Sequence, residues 1–229
     1  MPTPPPPNMP EFTDAERRDR ADKFHEAFYH ARLWERVSWL GVPAYKCPLD
    51  LWVYQEILHE SRPDVIVETG TAHGGSALFL ASVCDAMGHG RVVTIDTREL
   101  PGRRAHPRVS YITGSSIEPS MVETVRARIA PRERAVVVLD SIHSREHVLA
   151  ELRLWSPLVA PGCHLIVEDT NINGHPVHTD HAPDRSEDGA GAFEAVQEFL
   201  RENDCFEIDR AREKLLLTFN PGGYLRRVT

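Results

Sequence analysis

"VIVETGTAHGGS", residues 65–76, runs from an apolar stretch through an acid and a glycine turn into the start of a helix. Val65, Ile66 and Val67 show no alternation, which is how a strand covered on both faces reads. Gly70 permits a tight turn, Gly74 and Gly75 let a ligand approach the backbone, and the helix start beyond them offers unpaired N–H groups.

The same alternation recurs downstream. Short β-rich runs fall at 64–68 (DVIVE), 91–96 (RVVTID), 109–113 (VSYIT), 135–140 (AVVVLD) and 163–169 (CHLIVED). Between them GGSALFLASVCDAM, EPSMVETVRARIA and SREHVLAELRLWSPLV carry apolar residues at helical intervals, so a parallel sheet covered by helices is expected. After a further helix, GAFEAVQEFLREN, the runs CFEID and KLLLTFN lie too close together for a parallel crossover, which favours an antiparallel hairpin at the sheet edge. The pattern predicts an α/β, doubly wound, mostly parallel seven-stranded Rossmann-like sheet of the methyltransferase type, with an antiparallel edge strand.

Residues 1–12 are proline-rich and read as an extended leader without chemistry. Residues 13–61 read as helical: Thr13 and Glu16 fit a capping box, Phe24, Phe28, Ala31 and Trp34 recur at helical spacing, and PLDLWVYQEILHE follows with Asp50 as its cap. The first apolar stripe has three uses open to it: packing on the main domain, closing over a ligand, or a subunit contact. The methyltransferase-type domain is placed at 62–229.

A chain of 229 residues, 41% of them hydrophobic, supports one complete α/β domain and not two. Its 26 Lys and Arg against 34 Asp and Glu give a net charge of -8, which repels phosphate backbones and anionic lipid and argues against nucleic acid and membrane partners. No apolar run approaches the roughly 20 residues of a membrane span, and no signal-peptide core precedes the first helix, so a cytoplasmic location is expected. Cys47, Cys84, Cys163 and Cys205 show no CxxC spacing and read as reduced thiols.

A pyrophosphate cofactor favours G-x-G-x-x-G, whereas glycines 70, 74 and 75 behind Glu68 give E-x-G-x-x-x-G. That spacing suits S-adenosyl-L-methionine, whose sulfonium and ammonium gain from an acidic neighbourhood. Asp96 ends the second strand, where an acid accepts hydrogen bonds from ribose hydroxyls; capping the next loop is its competing use. Ser115 and Ser116 are candidate adenine contacts, with an ordinary turn as the alternative. The candidate cofactor set is Glu68, Gly70, Thr71, Gly74, Ser76, Asp96, Ser115, Ser116 and Asp140, with Lys46 as a contact to the cofactor carboxylate or the substrate.

In VVLDSIHS, residues 137–144, Asp140 ends the fourth strand, and Glu168 and Asp169 end the fifth. These acids gather at the topological switch point beside the first strand, where ligands bind. Three carboxylates without a cation repel one another, and hard oxygen donors without Cys select Mg²⁺ over Zn²⁺. Asp140, Glu168 and Asp169 are the expected metal ligands, capping of the following helices being the alternative. An imidazole ordinarily titrates at about 6.5, so His143 beside Asp140 is the expected base for a hydroxyl presented to the sulfonium methyl. Asp140 and His143 form the expected catalytic pair. Residues 171–192, polar and histidine-rich, read as a lid or substrate loop; a second metal site from His175, His178, Asp180 and His181 is the alternative.

At ETGTAHGGSALF, VVLDSIHS and LIVEDTNI the chain resembles the cephalosporin hydroxylase family, methyltransferase-fold enzymes that include rhamnosyl O-methyltransferases. The likeness runs from about Pro48 to the C-terminus. It implies that Asp140, Glu168 and Asp169 bind Mg²⁺ and that His143, in a D-x-x-H segment, is the base. It also implies O-methylation of a deoxysugar hydroxyl on a secondary metabolite, as in antibiotic biosynthesis. A glycoside-like small molecule and further copies of the chain, as a homo-oligomer, are the expected partners. Two other readings stay open: an NAD-dependent oxidoreductase, which shares the strand, turn and Asp96, and a non-catalytic methyltransferase-like binding module.

Overall fold

The computed structural model describes residues 12–178 and 189–229, so the expected leader lies outside the described residues except for Phe12. Helix α1 (Asp14–His30) begins on the capping box its sequence announces. The Glu16 N–H donates to Thr13 Oγ1 at 3.2 Å and the Thr13 N–H donates to Glu16 Oε2 at 2.8 Å. The face α1 buries differs from the expected stripe: Phe24 is exposed, and His25 is the buried residue. Packing on the main domain is seen for one member of the stripe, since Phe28 meets Phe219.

A short 3₁₀ turn (Leu33–Arg36) leads into a two-stranded hairpin, β1 (Ser38–Trp39) and β2 (Val42–Pro43), and then helix α2 (Pro48–Ser61). Asp50 does not cap α2. The N-cap is Cys47, and Asp50 is the third residue of the helix, buried, with Thr218 Oγ1 (2.5 Å), Tyr224 OH (2.8 Å) and the Phe219 N–H (2.8 Å) donating to it. Three donors from a distant segment outcompete the local cap.

The remaining elements are β3 (Val65–Thr69), α3 (Gly75–Met87), β4 (Arg91–Asp96), β5 (Val109–Thr113), α4 (Pro119–Arg126), β6 (Ala135–Leu139), α5 (Arg145–Trp155), β7 (His164–Val167), α6 (Ala192–Glu202), β8 (Phe206–Ile208) and β9 (Tyr224–Arg227). The seven-stranded sheet has the order β5-β4-β3-β6-β7-β9-β8. Pairing is parallel from β5 to β7, and β9 runs antiparallel to both β7 and β8. The strand expected at 214–220 is absent. Leu216 there adopts a left-handed φ of 68° and is exposed, while Leu217 and Phe219 pack with Cys47 instead of on the sheet.

Both faces of β3 are covered, as its uninterrupted apolar run requires. Val65 and Val67 pack in a cluster with Leu152, Trp155 and Phe199, whereas Ile66 packs on the other side with Ile57, Leu58 and Leu80. No helix among the described residues is long and apolar enough to cross a membrane. Cys47, Cys84 and Cys163 are buried free thiols and Cys205 is half-buried.

Trp155 joins this core to the sheet's carboxyl edge, because its buried indole N–H donates to the Ser116 carbonyl at 2.8 Å. Trp155→Phe should therefore destabilise the fold by roughly 1–3 kcal/mol in urea unfolding, through the carbonyl left unpaired. An unchanged midpoint would show that the bond holds nothing.

Candidate active site

The parallel strands deliver their carboxyl ends to one cleft of about 490 Å³, lined by Gly70, Thr71, Asp96, Ser116, Asp140 and His143 among others. Small-molecule sites typically occupy roughly 300–1,000 Å³. Its position is the switch between β3 and β6, which continue in sequence to opposite sides of the sheet.

Gly70 makes this edge possible. It adopts a φ of +82°, and an added Cβ would lie 1.7 Å from the Asp140 carbonyl oxygen, so only glycine lets the two strand ends meet. Gly75 serves a different purpose from the one expected. An added Cβ there would meet the Pro43 carbonyl at 2.2 Å, so its bareness admits the β1–β2 hairpin and not a ligand.

Among the described residues one group offers converging ligand atoms: Asp140, His143 and Asp169, one atom from each, all within 4.8 Å of one another. His143 Nε2 lies 3.2 Å from Asp169 Oδ2. Asp169 takes a left-handed φ of 54°, a costly conformation for a residue with a side chain, and its N–H donates to Asn220 Oδ1 at 3.1 Å. The donor set is rich in carboxylate oxygen and fits a hard divalent cation.

Glu168 sits apart from that group. It is buried and accepts from Lys46 Nζ at 2.6 Å and from the Tyr54 hydroxyl, which in turn accepts from Asn220 Nδ2 at 2.8 Å. Lys46 Nζ also donates to Asp140 Oδ2 at 2.5 Å. Burial raises the Asp140 carboxyl above the usual range, and the nearby Glu168 charge adds to this while Lys46 opposes it. Burial likewise works against the Lys46 ammonium, but the Asp140 and Glu168 charges outweigh it and hold its pKa above the ordinary value.

On the cofactor side, Thr71, Ser76, Asp96, Ser115 and Ser116 line the cleft with Gly70. Asp96 also ties the loops: Oδ2 accepts from the Ala72 N–H at 2.8 Å and Oδ1 from the Arg98 N–H at 3.0 Å, so loop capping and cleft lining coexist. Glu68 does not reach the cleft. It is fully buried behind the turn, where Thr94 Oγ1 donates to Oε2 at 2.6 Å and Oε1 lacks a partner among the described residues. Gly74 is the N-cap of α3, with φ +83°, and packs near the Tyr111 hydroxyl.

Several lining residues carried no sequence signal. Tyr29, Trp34, Tyr45 and Phe219 build an aromatic rim, with Tyr29 5.8 Å from Trp34 and 5.7 Å from Phe219, and Trp34 6.0 Å from Tyr45, between ring centroids. Only Trp34 belonged to a recognised stripe. His147, on α5, lies 2.9 Å from Ser141 Oγ and 3.4 Å from Ser116 Oγ, and a lone helical histidine gives no spacing to detect. In the histidine-rich stretch, His175 sits 2.7 Å from Glu194 Oε1 and stacks on Phe193. His175 and His178 join no ligand group among the described residues, and Asp180 and His181 lie outside the described residues.

A family model described as Rhamnosyl O-methyltransferase/CmcI matches residues 31–228. A rhamnosyl O-methyltransferase of Mycobacterium tuberculosis (strain ATCC 25618 / H37Rv) is 36% identical over 215 residues, covering 90% of this chain and 84% of that one. One of Mycobacterium leprae (strain TN) is 36% identical over 213 residues, 90% of each chain. Among solved structures, cmcI-D160 Mg-SAM matches with a TM-score of 0.64 at 21% identity, over 85% of this chain and 78% of that chain. An O-methyltransferase from Bacillus cereus in complex with SAH matches at 0.52 and 16%, over 88% and 84%. At those identities the structures share the fold.

The rim is tied down by His25, whose ring stacks on Phe219 at 5.2 Å and whose Nε2 lies 2.8 Å from Asn171 Nδ2, an N–H donor suited to an unprotonated ring nitrogen. Burial pushes the His25 imidazole down to about 4. The unfolded chain therefore takes up this proton first, so the stability His25 contributes is present above pH 6.5 and is lost as pH falls towards 4. Chemical denaturation at pH 7.5 and pH 5 should show wild type losing more stability than His25→Phe, which keeps the stack without the titration; equal losses would exclude this coupling.

Proposed function

Because the chain belongs to the rhamnosyl O-methyltransferase/CmcI family, we propose that it methylates a hydroxyl of a rhamnosyl-type deoxysugar on a small secondary metabolite, using S-adenosylmethionine and a divalent cation. The observation that carries this reading is the meeting of Asp140, His143 and Asp169 in the cleft behind the glycine turn. The family match is what favours methyl transfer over a nicotinamide oxidoreductase or a non-catalytic module.

When bound, S-adenosylmethionine supplies the electrophilic methyl and Mg²⁺ supplies the Lewis acidity that eases loss of the hydroxyl proton. Asp140 and Asp169, with Glu168 behind them, hold the cation. Asp96 and Ser116 hold the nucleoside, and Lys46 serves the acid cluster. His143 takes the hydroxyl proton, and the Asp169 carboxylate, 3.2 Å from its Nε2, stabilises the imidazolium that forms. The rim of Tyr29, Trp34, Tyr45 and Phe219 offers broad apolar faces to a sugar ring, orients the hydroxyl and excludes water.

Tritium from methyl-labelled S-adenosylmethionine should enter a rhamnosyl glycoside, stop with EDTA and resume with added Mg²⁺. Consumption of NADH without label transfer would overturn the reading. His143→Ala should lower turnover by about 10²–10⁴-fold while calorimetric affinity for S-adenosylmethionine stays within about twofold; parallel loss of both would remove His143 from the role of base.

A further inference from the structure

Lys46 stands where two of the proposed cation ligands need positive charge. Its Nζ is 2.5 Å from Asp140 Oδ2 and 2.6 Å from Glu168 Oε1, and the side chain is 2% exposed. These carboxylates come from the ends of β6 and β7, so one ammonium spans the strand junction. Glu168 Oε1 also accepts from Tyr54, and Glu168 is not part of the converging group formed by Asp140, His143 and Asp169. Mg²⁺ binds carboxylate oxygen at about 2.0–2.1 Å. It cannot take the same two oxygens while an ammonium stays at hydrogen-bond distance from both without placing like charges nearly in contact.

We propose that Lys46 is a built-in counter-cation that offsets the charge of the Asp140–Glu168 pair in the metal-free protein and must leave it when a divalent cation binds across all three carboxylates. The inference rests on the cation-dependent reading of this site and adds an exchange step to it. Without Lys46, the buried Glu168 and the half-buried Asp140 would face each other with no cation between them, a costly arrangement. With it, the metal-free edge stays assembled, and cation affinity is reduced by the ammonium that has to be displaced.

The test compares wild type with Lys46→Met, which keeps the aliphatic length and removes the charge. Mg²⁺ titrated into the full chain by isothermal calorimetry should bind Lys46→Met roughly tenfold or more tightly than wild type. The variant should also have a lower metal-free melting temperature and a larger rise on adding Mg²⁺. The chain has three lysines, Lys23, Lys46 and Lys214, so a lysine-labelled wild-type sample provides a readout that needs no variant. The Lys46 side-chain NMR signal should move in step with Mg²⁺ binding, while those of Lys23 and Lys214 stay in place. Equal or weaker binding by Lys46→Met, or a Lys46 signal unmoved as wild type takes up Mg²⁺, would overturn the proposal. If neither protein binds Mg²⁺, the cation-dependent reading falls and this proposal with it. Binding by the variant alone would be competition in its strongest form.

Discussion

Three carboxylates brought to one sheet edge cannot share it without positive charge, and the structure is organised around meeting that constraint. Lys46 reaches Asp140 and Glu168 from the segment before α2, and His143 faces Asp169. The supporting contacts extend outward: Tyr54 on α2 bonds Glu168, Asn220 bonds both Tyr54 and the Asp169 backbone, and Asp50 gathers Thr218, Tyr224 and the Phe219 N–H. Buried polar groups are tolerable only when paired, so these contacts specify where α2 and residues 218–224 must lie. Asp50 pays part of that cost, its carboxyl being pushed up to about 7 by burial and then by the Glu168 charge.

Much of the fold was legible because buried parallel strands are short, apolar and bounded by turns. β4 and β5 coincide with the runs expected at 91–96 and 109–113, and the capping box of α1 is present. Legibility failed where periodicity had too little length or misled. The hairpin β1–β2 has two residues per strand. KLLLTFN is rich in leucine yet turns irregularly, because its apolar side chains fill a satellite cluster beside Cys47. The true strand, Tyr224–Arg227, ends in two arginines and reads as surface.

The site was legible at the strand ends and not beyond them. Asp140, His143 and Asp169 follow from counting residues along β6 and β7, whereas the division of labour between Glu168 and Asp169 does not. Adjacent residues near the end of a strand diverge, and the left-handed backbone at Asp169 adds to that divergence. Glu68 was misplaced for a related reason: one residue before the end of β3 its side chain enters the core, not the opening. The aromatic rim joins α1 to residue 219, a pairing that no local pattern encodes.

The insertion of β9 between β7 and β8 has a consequence for biosynthesis. Residues 218–227 complete the sheet and also supply the partners that Asp50 and Tyr54 need, so a nascent chain still lacking them has its acids in place with their scaffold unfinished. Such long-range closure is slow. Completion of the sheet and completion of the acid scaffold are thus one event, so a chain whose residues 218–227 have not docked has neither.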